Sequence, residues 1–203
     1  MATTYIYRTA GTPTSSKKFT ISAWIKIGNI GTEQHIFGAF DDTSNRTHFV
    51  LTDTGQLDFI VKVSGSNIAR LKTTRVLRDP SAWYHVMGVL DTTQSTNTDR
   101  IKLYINGDQV LSPNNGFASE TYPSQDAVAE AQGTHDIGAY NNGGSRALFF
   151  DGSLAHLHFT DGYAYAASTF GETNSTSGIW VPKFAPSVTY GNNGFFLKFE
   201  NSG

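Results

Sequence analysis

The chain has 203 residues, of which 38% are hydrophobic and 16% are charged, and its formal net charge is −2. Its 14 Phe, 9 Tyr and 3 Trp supply a large core and exclude an intrinsically disordered chain. Lys and Arg are not clustered, so no nucleic-acid partner is expected. The chain has no Cys, which excludes disulfides, thiol catalysis and Cys-ligated zinc. A signal-peptide pattern and a run of about 18 apolar residues are also missing, so we expect neither a leader nor membrane insertion.

Alternating apolar residues predict a series of short strands in the first half of the chain. In residues 19–27 every second position is apolar, and the intervening positions hold Thr20, Ser22, Trp24 and Lys26. This pattern is typical of a half-buried strand. Weaker versions of it predict further strands at 35–40, 47–52, 56–63 and 67–75.

Residues 83–111 carry the most informative pattern. Bulky side chains occupy both the odd and the even positions of 83–91, which predicts a strand covered on both faces. A polar loop at 92–99 and a second strand at 101–105 follow. That strand ends at Asn106-Gly107, and this pair predicts a type I′ hairpin turn because both residues tolerate a positive φ.

The second half of the chain begins with residues 112–134, which show no periodicity and are predicted to form a long surface loop. Strand patterns return at 135–140, 147–150, 153–160 and 195–199. One short helix is predicted at 163–170, and a connection rich in Gly, Ser and Pro at 171–194. Many short strands with so little helix predict an all-β fold of two antiparallel sheets packed face to face, with the first and last strands adjacent. No repeat or linker interrupts this pattern, so residues 1–203 are expected to form one domain.

Three parts of the chain carry a family resemblance. The first is FTISAWIKI at 19–27. The second comprises WYHVMGVLDTT at 83–93 and RIKLYINGDQV at 100–110, and the third comprises FFDGSLAHLHFTDGYAY at 149–165 and STFGE at 168–172. In this order they resemble the laminin-G-like branch of the concanavalin A-like lectin/glucanase superfamily. The resemblance implies a jelly-roll sandwich that binds glycans, proteins or other surfaces. The same sandwich hosts lectins, hydrolases and structural modules, so the fold alone does not decide the function.

Shorter motifs are similar to a branch of this family that occurs in bacteriophage structural proteins. They are DPSAWYH at 79–85, TYPSQ at 121–125, FFDG at 149–152, STFGE at 168–172 and YGNNGFFLKF at 190–199. This similarity implies a virion protein that is made in the host cytoplasm without a signal peptide. The expected partners are a glycan or polysaccharide, other virion proteins and, in a homo-oligomer, further copies of the chain.

The hydrolases of the superfamily carry Glu-x-Asp-x-x-Glu on one strand, which places a nucleophile and an acid about 5–5.5 Å apart. In this chain no two Glu residues share a predicted strand; they are Glu33, Glu120, Glu130, Glu172 and Glu200. The chain is therefore predicted not to be an enzyme. An unorthodox polysaccharide-active enzyme is the least favoured hypothesis.

Residues 140–146 form the first candidate carbohydrate site. The ring of Tyr140 can stack on a sugar, and Asn141, Asn142 and Arg146 offer the hydrogen bonds that neighbouring hydroxyls need. The two intervening glycines let the backbone approach a ligand closely. The alternative interpretation is a flexible hairpin loop without a ligand.

Residues 41–46 form the second candidate. Asp41, Asp42, Asn45 and Arg46 could contact a glycan, and the oxygen ligands of this loop could hold Ca²⁺, although no cofactor is required. The alternative is an ordinary polar turn in which Asp and Asn bind their own backbone. Loops at one end of a sandwich cluster, so this loop and residues 140–146 could share a rim.

Two other residue sets have features of binding sites. His156 and His158 have the spacing of zinc ligands on a strand, but a hydrogen-bonded pair without metal is the favoured interpretation. Trp24 and Trp83 are predicted to pack between strands, and Trp180 is predicted to hold the C-terminal segment against the sandwich.

The leading hypothesis is a non-catalytic recognition module on a virion that binds carbohydrate on a host or environmental surface. The alternative is a purely structural phage protein, such as a capsid decoration or tail-fibre domain, that contacts other proteins and no sugar.

Overall fold

The computed structural model of the chain describes residues 3–112, 116–129 and 133–199. Within these residues the strands form two large antiparallel sheets, and helix is limited to two short 3-10 turns at Asn97–Asp99 and Ala167–Thr169. The predicted all-β class and two-sheet architecture are confirmed, and the arrangement is that of a jelly-roll sandwich. None of the helices in the described ranges has the length and apolar character required to cross a membrane.

The first sheet has seven strands. In spatial order they are β1 (Ile6–Thr9), β11 (Thr134–Ile137), β3 (Gln34–Phe40), β4 (Arg46–Leu51), β5 (Gln56–Val63), β6 (Ser66–Val76) and β10 (Phe117–Thr121). The strands from β3 to β6 are consecutive along the chain and form a meander in the middle of this sheet.

The second sheet has six strands, and two separate hairpins lie outside both sheets. In spatial order the six are β17 (Phe195–Leu197), β14 (Gly152–Asp161), β2 (Lys18–Ile27), β7 (Trp83–Asp91), β8 (Ile101–Ile105) and β9 (Asp108–Gln109). The hairpins pair β12 (Tyr140–Asn142) with β13 (Ser145–Ala147), and β15 (Gly171–Thr173) with β16 (Trp180–Pro182).

The core fills the space between the two sheets, where the inward-facing residues of the alternating strands meet. Phe37 of β3 stacks on Phe159 of β14 with the ring centroids 5.1 Å apart. The sheets approach each other closely where Phe59 of β5 faces Gly88 of β7. A Cβ atom at Gly88 would lie only 2.9 Å from the Phe59 ring.

The outer face of the six-stranded sheet is covered by the C-terminal part of the chain. Thr20 of β2 donates a hydrogen bond to the carbonyl of Tyr163, and Trp180 of β16 donates one to His85 of β7. The prediction that β7 is covered on both faces is confirmed. The prediction that β2 is half-buried was wrong, because this cover also buries its outer residues, Trp24 included.

The predicted hairpin at Asn106-Gly107 is confirmed. Both residues have positive φ, 52° and 85°, and the strands β8 and β9 pair directly across them. Gly107 has a second role, because a Cβ atom there would lie 2.8 Å from the ring of Trp180. The turn therefore also leaves room for the side chain that holds β16 in place, as predicted for Trp180.

Three predicted elements were wrong. The predicted loop 112–134 contains β10, and the predicted connection 171–194 contains β15 and β16. The predicted strand at 147–150 overlaps β13 at Ala147 alone. The short helix predicted at 163–170 is present as one 3-10 turn, Ala167–Thr169. These segments are short and lie at a sheet edge or outside the sheets, so their structure depends on contacts with distant strands rather than on their own periodicity.

The predicted adjacency of the first and last strands was wrong. The first predicted strand, 19–27, is β2 and the last, 195–199, is β17, and β14 lies between them in the six-stranded sheet. The earlier strand β1, an edge of the seven-stranded sheet, was not predicted. It contacts the last strand across the two layers, because the guanidinium of Arg8 lies over the ring of Phe195, 5.5 Å from its centroid.

Candidate functional site

The outer face of the seven-stranded sheet carries a cluster of basic and imidazole side chains. In β4 the side chains of Thr47 and Phe49 are buried in the sandwich, so alternation directs Arg46 and His48 to the opposite face. The registers of the neighbouring strands place Lys62 opposite Arg46, and His35 opposite Val50. Strands β3, β4 and β5 thus bring together four nitrogen-bearing side chains that are far apart in sequence.

The hairpin β12–β13 folds over one end of this cluster. The ring of Tyr140 lies 4.9 Å from the ring of His35 and 5.5 Å from that of His48, measured between centroids. Arg46 donates a hydrogen bond from Nη1 to the Tyr140 hydroxyl, at 3.2 Å. The result is an open groove of about 460 Å³. We call it the histidine groove; its lining includes Glu33, His35, Arg46, His48, Lys62, Asn67 and Tyr140.

Both histidines of the groove are neutral at neutral pH. Burial lowers the pKa of His48 to about 3, with further contributions from His35, Arg46 and Lys62. Burial also lowers the pKa of His35, against the opposing effect of Glu33. His35 Nε2 lies 3.2 Å from a Glu33 carboxylate oxygen, and this hydrogen bond holds the pKa of Glu33 below its ordinary value. The carboxylate can only accept, so Nε2 carries the proton and Nδ1 of His35 is an acceptor.

Three nitrogen atoms of the groove lack a hydrogen-bond partner within the described part of the chain. They are His35 Nδ1, His48 Nδ1 and Arg46 Nε, and all three are buried. A buried polar atom without a partner costs about 1–3 kcal/mol. Native structures rarely leave such atoms unsatisfied, and three in one groove indicate that a polar ligand or ordered water completes their hydrogen bonds.

The hairpin residues predicted as a carbohydrate site have mostly structural partners. Asn141 donates to one oxygen of buried Asp136 at 2.8 Å, and Arg146 donates to the other at 2.9 Å. The Arg146 guanidinium also lies 4.8 Å from the ring centroid of Tyr7. Asn141 and Arg146 therefore hold the hairpin to the sheet. Asn142 is exposed beside the turn, and Tyr140 alone of the four lines the groove.

The 41–46 loop meets the groove only through Arg46. Both carboxylate oxygens of Asp42 accept hydrogen bonds within the loop, from the backbone of Ser44 and from the backbone and side chain of Asn45. Asp41 is exposed beside it. The two predicted loops are therefore joined at a common rim by one contact, between Arg46 and Tyr140.

The oxygens of Asp42 accept hydrogen bonds from the loop itself. The described residues include no group of three or more His, Cys, Asp or Glu side chains placed to hold a metal ion. The spacing of His156 and His158 is interrupted by a β-bulge between Ala155 and His158. His158 Nδ1 lies 2.9 Å from the Tyr190 hydroxyl, so this side chain has a partner within the protein.

Sequence reasoning missed His35, His48 and Lys62. Each lies in a strand that was predicted. His48 and Lys62 alternate with the core residues Phe49 and Val61, so their outward positions could have been marked from the sequence. His35 has the same parity as core Phe37, and a β-bulge between the two turns it outward, which alternation does not reveal. That the three side chains meet in one groove depends on the pairing of β3, β4 and β5, which the sequence pattern does not specify.

The comparisons with known proteins agree with this architecture. A family model described as "Concanavalin A-like lectin/glucanases superfamily" matches residues 2–168. No curated protein has a significantly similar sequence.

Among solved structures, the native heptameric SAP-like pentraxin from Limulus polyphemus is 17% identical over 96% of this chain and 88% of its own, with a TM-score of 0.58. The CBM40 of the Ruminococcus gnavus IT-sialidase is 15% identical over 76% and 80%, with a TM-score of 0.56. The same CBM40 bound to α2,3 sialyllactose is 17% identical over 69% and 73%, with a TM-score of 0.50. Identities this low establish a shared fold and nothing more. With the family model matching most of its length, the chain belongs to the concanavalin A-like lectin/glucanases superfamily.

Proposed function

We propose that this chain is a non-catalytic carbohydrate-binding module and that its ligand binds in the histidine groove. The observation that carries the proposal is the set of three unpartnered nitrogens, on His35, His48 and Arg46, beside the ring of Tyr140. A sugar hydroxyl both donates and accepts hydrogen bonds, so it suits a groove that offers the acceptor Nδ1 of His35 and the donor Nε of Arg46. The Tyr140 ring supplies an apolar surface for the face of the sugar.

The charges of the groove favour a sugar that carries a carboxylate. Arg46 and Lys62 are both cationic, and the acidic side chain in the lining, Glu33, is already engaged by His35. A planar guanidinium pairs well with a carboxylate, and partial burial strengthens such a hydrogen bond. A CBM40 of the same fold has been solved with sialyllactose, and this supports an acidic sugar as the ligand class.

The protonation of the groove supports a binding role and not hydrolysis. A glycosidase acid must hold its proton near neutral pH, which requires a raised carboxyl pKa. The pKa of Glu33 is lowered by its hydrogen bond to His35. Glu120 lies in β10 and Glu172 in β15, so these two are on different strands, while Glu130 and Glu200 fall outside the described residues. We propose no role for a cofactor, including Ca²⁺, in binding.

We further propose that the domain is displayed on a bacteriophage particle and assembled in the host cytoplasm. The resemblance of short motifs, such as DPSAWYH and YGNNGFFLKF, to those of phage structural proteins supports this setting. One shallow groove binds weakly, at roughly millimolar to micromolar Kd, or about −4 to −8 kcal/mol. Many copies on one particle raise the effective affinity of such weak sites.

A glycan array followed by calorimetry with the array hits tests the proposal. We expect acidic glycans to bind, and Arg46→Ala and Tyr140→Ala each to weaken binding at least about tenfold, or about 1.4 kcal/mol. Tyr140→Phe keeps the ring and should retain most of the affinity. Arg78→Ala removes an exposed positive charge outside the groove and should change nothing. Binding that is unaffected by the first two variants would place the ligand elsewhere.

Cation dependence is a separate arm of the same experiment. The wild-type protein is titrated in EDTA and again in CaCl₂, with the same acidic glycan. Equal affinity is the expected result, because no described cluster of side chains fits a calcium ion. Binding that requires CaCl₂ would contradict the cation-free proposal.

The structural alternative is favoured by one observation, at the edge strand β1. One edge of the β1 backbone has no neighbouring strand in the sheet. The strand also exposes apolar side chains, since Ile6 is 44% and Tyr7 is 59% exposed. Edge strands of this kind are common sites of chain association. Light scattering of the purified protein tests this role: a defined oligomer that Tyr7→Lys dissociates, together with an empty glycan array, would favour a structural protein over a carbohydrate-binding one.

A further inference from the structure

All three tryptophans of the chain line one groove on the outer face of the six-stranded sheet. Trp24 comes from β2, Trp83 from the start of β7 and Trp180 from the hairpin β15–β16. The groove has a volume of about 500 Å³. We call it the tryptophan groove; Trp24, Trp83, His156, Ile179 and Trp180 are its principal lining residues.

Local backbone features build this groove. The β-bulge in β14 adds one residue between the partners of Trp24 and Ser22, and the extra residue turns His156 toward the groove beside Ala155. His156 has a φ of +45°, which is uncommon for a residue other than glycine. Backbone strain of this kind concentrates at functional positions.

The ring of Trp180 is held in a defined place. Gly107 and Gly171 leave room for it, since a Cβ atom at either would lie within 2.8 Å of the indole. Its Nε1 donates to His85 Nδ1 at 3.0 Å, and His85 stacks on Trp24 with centroids 5.3 Å apart. The aromatic wall is therefore preorganised, which reduces the entropy cost of binding.

The groove combines apolar surface with two free polar groups. Trp83 is 42% exposed and Ile179 is 62% exposed. Trp24 Nε1 and His156 Nδ1 are buried without a hydrogen-bond partner in the described part of the chain. No acidic or basic side chain other than His156 is among the described residues that line the groove. A matching ligand is therefore uncharged, flat and apolar on one face, and able to hydrogen-bond.

We propose that the tryptophan groove is a second carbohydrate site, and that it takes a neutral pyranose with equatorial hydroxyls, such as a β-linked glucose unit. Equatorial hydroxyls leave a flat C–H face that can lie on Trp83, while the ring edge carries the acceptors that Trp24 Nε1 needs. The volume of the groove is within the range of about 300–1,000 Å³ that is typical of small-ligand sites.

The exposed area is too small for a stable protein partner. An exposed Trp offers at most about 250 Å² of surface, so the exposed part of Trp83 is about 100 Å². Ile179 adds a similar amount, and the other lining residues are less exposed. A stable protein interface buries about 800 Å² on each partner. This exposed area is enough to bind a small ligand, whereas a stable protein interface would need several times more apolar surface.

The two carbohydrate sites do not depend on each other. The histidine groove lies on the outer face of the seven-stranded sheet, and the tryptophan groove lies on the outer face of the other sheet. One is lined by cationic side chains and the other is not. The second site therefore stands even if the histidine groove binds no glycan.

Intrinsic tryptophan fluorescence tests the second site directly, since every Trp of the chain lies in this groove. Cellotetraose is titrated into the full chain up to about 10 mM, a concentration above the roughly millimolar Kd of a weak carbohydrate site. We expect a saturable change in emission. Trp83→Ala should weaken binding at least about tenfold, Trp83→Phe should weaken it less, and Arg46→Ala should leave it unchanged.

Three outcomes overturn the proposal. They are an unchanged wild-type spectrum with cellotetraose, an affinity that Trp83→Ala does not alter, and a saturable change with a decaproline peptide in place of the sugar. The wild-type titration needs no variant, so a misfolded Trp83→Ala protein does not prevent a decision. Far-UV circular dichroism of each variant identifies that case, and Trp83→Phe then serves in its place.

Discussion

Acid should destabilise this protein through three histidines, of which His85 and His158 are buried and His48 is half-buried. Burial lowers the pKa of His48, His85 and His158 to about 3 each, from 6.5 in the unfolded chain. Trp180 donates to Nδ1 of His85, so protonation of that atom would remove a buried hydrogen bond. Between about pH 6.5 and 3 the unfolded chain binds protons that the folded protein excludes. Stability is therefore complete above this window and is lost as the pH falls through it.

The size of the effect follows from proton linkage. At pH 5 an imidazole with a pKa of about 6.5 is protonated in the unfolded chain and stays neutral in the folded protein. Each such protonation stabilises the unfolded state by about 2 kcal/mol. Three such histidines lower the free energy of unfolding by about 6 kcal/mol, which is comparable with the whole stability of a typical domain. His35, whose pKa burial also lowers, adds to this loss. This value holds as long as each folded pKa stays below about 4.

Urea unfolding at about pH 7.5 and about pH 5 measures this change. We expect the free energy of unfolding to fall by at least about 6 kcal/mol in the wild type and by about 2 kcal/mol less in His48→Gln, which lacks one of the titrating groups. A fall of less than about 2 kcal/mol in the wild type would refute the reasoning. Imidazole NMR titrations with pKa values above about 5 would refute it independently.

Two substitutions test the packing and the anchor of the hairpin. Gly88→Ala places a Cβ atom 2.9 Å from the ring of Phe59 and should destabilise the protein by about 1–3 kcal/mol in urea unfolding; an unchanged midpoint would contradict the close approach of the sheets. Asp136→Ala removes the shared acceptor of Asn141 and Arg146 and should cost about 3–5 kcal/mol, with Asp136→Asn milder; a loss below about 1 kcal/mol would contradict the anchoring role.

The sequence predicted the strands that carry their own strong pattern. The predicted bounds of Gln56–Val63, Trp83–Asp91 and Ile101–Ile105 match the structure residue for residue. The strands β10 and β16 were missed because each is short and is stabilised by a distant partner, β6 in one case and the Trp180 contacts in the other. Such contacts have no local signature in the sequence.

The residues of the candidate site were also predicted only in part. Tyr140 and Arg46 were predicted from loop chemistry and do line the groove. Arg146 was predicted for the same reason, and its Nε donates to buried Asp136, an interaction that the sequence did not predict. Its partner lies ten positions earlier, in a strand whose outer face could not be assigned without its register. A side chain's chemistry can be identified from sequence, whereas its availability depends on which neighbours the fold supplies.

The most direct test of the central claim is to map the acidic glycan onto the protein by NMR. Backbone amide shifts are followed while an array hit is titrated into isotope-labelled protein. We expect the shifts to concentrate at residues 46–50, 60–62 and 140, around the histidine groove. Shifts that spare these residues and appear at another surface would contradict it.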